Sequence, residues 1–257
     1  MTSKSRIAVL IISISLVIIS CGTEAVKSRW ADDLNEADWR KSLKYFEDEK
    51  ISIAAINNDK EIQIFIASAE RARIMQFLSQ GFTAWIQKES DNNDMLGIKY
   101  PVKKLGNDPQ KFMVEHRDAN AEPRDLIVKM INQQNEFLLV NENDFPLGAY
   151  PLKNELGIEP TLQFKMSQLV YSIRIPLNNN DPDSFEINYL PGEIMNINFE
   201  IEVPERDNVG RGSRGNGMRG GGRAAGGRMG GGDRSGTMNK NRPEPIDLKL
   251  QILLAAD

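Results

Sequence analysis

The sequence predicts a mainly β protein: a single antiparallel β-sandwich with two short helices and a long disordered Gly/Arg-rich loop between its last two strands. Three observations predict it. Met195, Ile197, Phe199, Ile201 and Val203 alternate with Asn196, Asn198, Glu200 and Glu202, and Ile246, Leu248, Leu250, Ile252 and Leu254 alternate in the same way. That period of two marks half-buried antiparallel strands. Similar runs recur upstream, joined by turn residues. Between the last two strands, residues 206–242 break completely from the composition of the rest.

The elements follow in chain order. Met1 to Arg6 carries Lys4 and Arg6 and no acid, and the weakly polar to apolar run Ile7 to Ile19 follows it. The run is shorter than the ~20 apolar residues of a spanning helix, and a basic start with a short apolar core reads as a secretory signal. It ends in Ile18-Ile19-Ser20-Cys21-Gly22. This resembles the bacterial lipobox, which implies cleavage before Cys21, lipid on that cysteine, and acylation of the new amino terminus. Three chains exceed the two signals needed for stable anchoring. The expected organisation is a signal peptide over 1–20, a tether over 21–29 and the sandwich over 30–257, anchored in the cell envelope, in the outer membrane. Cys21 is the only cysteine, so no intramolecular disulfide forms.

Ile51, Ile53 and Ala55 alternate, as do Ile62, Ile64 and Ile66, with Asn57-Asn58-Asp59-Lys60 between them; this is a hairpin signature. Ser68 is placed to cap a helix over Arg71 to Gln80, with Ile74, Phe77 and Leu78 on one face and Gly81 as its stop. Phe82–Ile86 and Leu96–Tyr100 read as a second strand pair. Pro123 opens a second helix with Leu126, Ile127, Met130 and Ile131 as its apolar stripe. Leu162–Met166 and Leu169–Ile175 form a third hairpin, joined at Ser167-Gln168. Many short strands with few helices point to one sandwich.

Charge is uneven. The formal net charge is −4, and loss of the two positive charges of residues 1–20 makes it −6. Yet residues 206–242 hold Arg206, Arg211, Arg214, Arg219, Arg223, Arg228, Arg234, Lys240 and Arg242 against Asp207 and Asp233, with abundant glycine. Such a stretch lacks the apolar surface to offset its ordering entropy, so disorder is expected. A long loop there is tolerable because closure entropy grows only with the logarithm of length. Arg211, Arg214, Arg219, Arg223, Arg228 and Arg234 are candidates for binding an anionic envelope polymer; the alternative is a solvated spacer. Nucleic acid is disfavoured as a partner, since the stretch has no aromatic residue on which bases stack.

The order of several short motifs is similar to that of family 9 carbohydrate-binding modules and DOMON-like sandwiches. They are Asp33-Leu-Asn-Glu-Ala-Asp-Trp39, Ala54-Ala-Ile-Asn-Asn-Asp59, Ile62-Gln-Ile-Phe65, Gly81-Phe-Thr-Ala-Trp85-Ile86 and Val170-Tyr-Ser-Ile-Arg-Ile-Pro-Leu177. The same order resembles envelope proteins of Bacteroidetes-type bacteria. The resemblance implies a sandwich and a glycan-binding role. The acidic residue expected after the Trp strand is replaced by Gln87-Lys88, which puts an inherited ligand or calcium site in doubt.

Catalytic constellations are scarce. With His116 the only histidine and Cys21 taken up by lipid, neither a common zinc site nor a Ser-His-Asp or Cys-His arrangement is expected. Asp91-Asn-Asn-Asp94 and Asn178-Asn-Asn-Asp-Pro-Asp183 offer calcium-type oxygens or plain solvated turns; no cofactor or metal is expected. The leading expectation is a non-catalytic, membrane-anchored binding module for a glycan. The alternative is an assembly lipoprotein gripping a protein partner by a sheet edge or the Arg/Gly loop, and a third is a hydrolase with acidic catalysts. Of the three tryptophans, Trp30 is expected near the membrane interface or disordered. Trp39 is expected buried with Leu43 and Phe46. Trp85 is the candidate ligand platform, because alternation puts it opposite Phe82, Ala84 and Ile86; a helix covering that face would bury it instead.

Overall fold

The computed structural model describes residues 24–35, 37–87, 95–102, 122–141, 146–178, 187–201 and 244–257. Among them run thirteen strands and two α-helices. The strands are β1 (Glu24–Lys27), β2 (Arg29–Trp30), β3 (Lys44–Phe46), β4 (Ile51–Asn57), β5 (Glu61–Ser68), β6 (Thr83–Gln87), β7 (Met95–Lys99), β8 (Glu136–Val140), β9 (Pro146–Pro151), β10 (Glu159–Lys165), β11 (Gln168–Pro176), β12 (Ile194–Ile201) and β13 (Ile246–Leu253). The helices are α1 (Arg71–Gln80) and α2 (Pro123–Asn132), with a 3-10 turn over Trp39–Ser42.

Two sheets form a β-sandwich. One runs β1-β13-β12-β6-β7-β8-β9, the other β10-β11-β5-β4-β2 with β3 also on β4. The three expected hairpins and the pairing of the last two strands are present: β4 with β5, β6 with β7, β10 with β11, and β12 with β13. Ile51, Ile53, Ile62, Ile64, Phe82, Ala84, Phe199 and Leu250 contribute to one continuous core between the sheets.

Pairing is antiparallel except at β1–β13 and β2–β4, which are parallel. The cause is the chain's path through 24–30: it switches sheets at Ser28 and so lies on an edge of each. This corrects the tether expected over 21–29. From Glu24 onward that segment is sheet, and Val26 is buried in the core.

A polar knot fixes the switch. The Ser28 hydroxyl donates to Asn57 Oδ1 at 2.5 Å, Ala255 N donates to the same oxygen at 3.0 Å, and Asn57 Nδ2 donates to the Ala255 carbonyl at 3.0 Å. Asn57 is wholly buried, so its amide must be satisfied internally, and the knot does this while joining both sheets.

Local details differ from expectation in two places. Ser68 does not cap α1: it ends β5, its hydroxyl donating to the Lys50 carbonyl and accepting from Glu70 N. The β10–β11 turn is centred on Met166 and Ser167, both at positive φ, one residue earlier than expected and with the twist that two-residue hairpins favour. Gly81 does stop α1, at φ 80°, with its N–H on the Phe77 carbonyl. A Cβ there would sit 2.5 Å from the Pro101 carbonyl oxygen.

Tyr100 and Tyr171 lie side by side in the core, ring centroids 6.2 Å apart. Burial pushes the Tyr100 phenol from 10.0 up to about 12. It pushes Tyr171 higher still, with the neighbouring Tyr100 adding to the shift. Both folded values lie above the unfolded one, so the stability they confer is complete below pH 10 and lost as pH rises toward 12 and beyond. The Tyr171 hydroxyl also lacks a hydrogen-bond partner. Tyr171→Phe is therefore expected to raise stability by about 1 kcal/mol. In ultraviolet titration it should leave the native curve unchanged while removing one ionisation step from the unfolded chain.

A candidate ligand face on the six-stranded sheet

The structure exchanges the roles expected of two tryptophans. Trp85 does face away from the core, opposite Ala84 and Ile86, but it is 7 % exposed. Its Nε1 donates to Glu200 Oε2 at 2.7 Å, and its ring lies over Gly97 on the paired strand. A Cβ at Gly97 would come within 2.7 Å of that ring and 2.4 Å of a Val140 methyl. Cross-strand neighbours thus close over the indole, and Trp85 is not a free stacking platform.

Trp39, expected to pack with Leu43 and Phe46, does neither. Phe46 is core, Leu43 is 37 % exposed, and Trp39 is half-buried on the outer face of the six-stranded sheet. It stacks on Phe65 with centroids 4.7 Å apart and planes 8° from parallel. Below it Leu34, Ala54, Ile56 and Phe65 form a second small core, which is why Ala54 and Ile56 are buried although they face away from the main one. The exposed Arg40 guanidinium lies 4.8 Å from the Trp39 centroid. Trp30, half-buried on β2 with Nε1 on Asp32 Oδ1, is ordered within the sheet.

Register defines the rest of this face. Tyr45, Ser52, Ala67, Val170 and Gln163 stand opposite one another across five strands, and Tyr45 is 61 % exposed. The next row holds Ala54, Phe65, Ser172 and Thr161, and the third Ile56, Gln63, Arg174 and Glu159. Hydrogen bonds run within and between rows: Thr161 Oγ1 lies 2.8 Å from Ser172 Oγ in its own row, and Gln63 Nε2 of the next row donates to that hydroxyl at 3.4 Å. Arg174 Nη2 donates to Asn35 Oδ1 at 2.7 Å, while its Nε lies 3.8 Å from Glu61 Oε2 and its Nη1 3.8 Å from Glu159 Oε2. The face therefore sets three aromatic rings, Trp39, Phe65 and Tyr45, beside a strip of amide, hydroxyl, guanidinium and carboxylate groups.

Cys21, His116, the Asp91–Asp94 loop, most of the Asn178–Asp183 loop and residues 206–242, with Arg211, Arg214, Arg219, Arg223, Arg228 and Arg234, lie outside the described residues. Among the described residues, no group of three His, Cys, Asp or Glu side chains is placed to hold a metal ion, and no helix is long and apolar enough to cross a membrane.

No protein-family model matches the chain, and no curated protein matches it. One solved structure to which it is similar is a family 9 carbohydrate-binding module from Caldicellulosiruptor kristjanssonii in complex with glucose. The TM-score is 0.36 and the identity 8 %, over 91 % of this chain and 98 % of that one. A likeness of that size carries no argument about function; the fold stands on the strand pairing itself.

Proposed function

We propose that this chain is a non-catalytic binding module of the cell envelope, lipid-anchored through Cys21, that takes a glycan on the outer face of its six-stranded sheet. The observation that carries the glycan reading is the Trp39–Phe65 stack, with exposed Tyr45 and the Gln63–Ser172–Thr161 strip on the same face. A pyranose presents C–H groups from its ring face and hydroxyls from its rim. An aromatic plane accepts the first, and planar amides, hydroxyls and carboxylates pair with the second. The basic residues 211–234 suit an anionic envelope polymer as a second contact.

Tryptophan fluorescence and calorimetry with envelope glycans test the site. Trp39→Ala is expected to weaken binding at least about tenfold, ~1.4 kcal/mol. Because that change also uncovers Phe65, Tyr45→Ala serves as the variant that keeps the fold and should weaken binding in the same direction. Unchanged affinity in both variants removes this face from the mechanism. Anchoring is tested separately: Cys21→Ser should abolish palmitate labelling and release the protein from membranes.

A further inference from the structure

Resting on the anchoring and glycan readings above, we propose that the ligand is the sugar headgroup of a lipid in the same membrane that holds the protein. Glu24, three residues after Cys21, is already fixed on β1 opposite Leu250. An extended chain advances at most ~3.6 Å per residue, so the Cys21 Cα lies within roughly 14 Å of Ala25. Ala25 in turn adjoins the ligand face: Lys44 Nζ donates to its carbonyl at 3.3 Å, and the next residue is the exposed Tyr45. With the length of a lysine side chain added, Tyr45 lies within roughly 30 Å of the lipid attachment.

The direction of the chain agrees. β1 runs parallel to β13 from Leu250 toward Leu253, so its amino-terminal end at Glu24 points toward the Ile246 end of β13. Arg73 Nη1 on α1 donates to the Glu244 carbonyl at 2.7 Å, and the Ser68 hydroxyl donates to the Lys50 carbonyl at 3.0 Å. The turn that leads from β3 into β4 thus belongs to that same end. The aromatic edge is held at the membrane, and no long lead lifts it away. A sugar fixed to a headgroup meets the edge at a local concentration that a dissolved chain does not reach. Arg40 and Lys41 beside Trp39 favour a phosphate-bearing headgroup. Asp38, 3.8 Å from Lys41, and Glu47 and Asp48 on the following turn bound that basic stretch.

The test uses the full lipidated protein in phosphatidylethanolamine vesicles with and without rough-form lipopolysaccharide, and the water-soluble sugar released from the same lipopolysaccharide. A second protein carries a flexible Gly-Ser lead of about thirty residues after Gly22, which adds roughly 30 Å of mean reach. The native lead should give a tryptophan response on the lipopolysaccharide vesicles. The long lead should need about tenfold more of the glycolipid for the same response, with equal affinity of both proteins for the released sugar. Equal responses on vesicles overturn the proposal while leaving the glycan reading standing. No response of either protein to the released sugar overturns the glycan reading and the proposal with it. Failure of the native protein to float with vesicles overturns the anchoring reading instead.

Discussion

Phe82→Ala is expected to cost ~3–5 kcal/mol of stability. Phe82 is fully buried at the point where three layers meet. Its ring lies 5.0 Å from Phe77 on α1, 5.0 Å from Tyr171 on β11 and 5.4 Å from Phe199 on β12. Truncation removes contacts to a helix and both sheets at once, and a site ringed by aromatic side chains from separate elements has little freedom to collapse. Denaturant unfolding followed by far-ultraviolet circular dichroism measures the loss. A cost below ~1.5 kcal/mol, the range of tolerated volume-conserving swaps, would contradict this packing.

Asn57→Ala is expected to cost ~2–4 kcal/mol for a different reason. The side chain gives up little apolar surface, but its removal strips hydrogen bonds from both partners. The Ala255 carbonyl loses its donor from Nδ2, and the Ser28 hydroxyl loses its shorter acceptor and keeps only the Leu253 carbonyl at 3.1 Å. Ser28→Ala should cost less, because Asn57 Oδ1 keeps the donation from Ala255 N. The double variant should cost less than the sum of the singles, since the three residues act as one unit. Additive costs in urea melts would show that the knot is not a unit.

Much of the architecture is legible in the sequence because the core writes a local period. Met195 to Ile201 and Ile246 to Leu254 alternate between solvent and core, and the structure buries those predicted for the core. Gly81 closes α1 and Pro123 opens α2 as the sequence implies. Of the strands that sequence reasoning passed over, β1 has four residues, β9 both begins and ends in proline, and β8 is an apolar run, Phe137 to Val140, without alternation. Their state is decided by the neighbour they pair with.

The site was legible only in part. Alternation put Trp85 on the correct side of its strand, yet whether an outer face is open depends on what crosses it. At Trp85 a glycine opposite leaves room for the indole to lie flat between neighbours. At Trp39 a 3-10 turn, not a helix, sends the ring onto Phe65, twenty-six positions away in the chain and absent from any local pattern. The polar strip on Gln63, Thr161, Ser172 and Arg174 becomes visible only once β5, β10 and β11 are placed in register.

The parallel run of β1 beside β13 also has a mechanical consequence. Any pull that reaches the fold from its amino-terminal side enters at Glu24 and acts along the strand axis. Strand β1 must then slide past β13, loading the pairs from Glu24–Leu250 to Lys27–Leu253 together instead of peeling them one after another. Its far end is pinned by Ser28, whose N–H donates to the Leu253 carbonyl and whose hydroxyl donates to Asn57. Four residues arranged in shear and latched at the trailing end resist tension far better than the same four at the tip of a zipper.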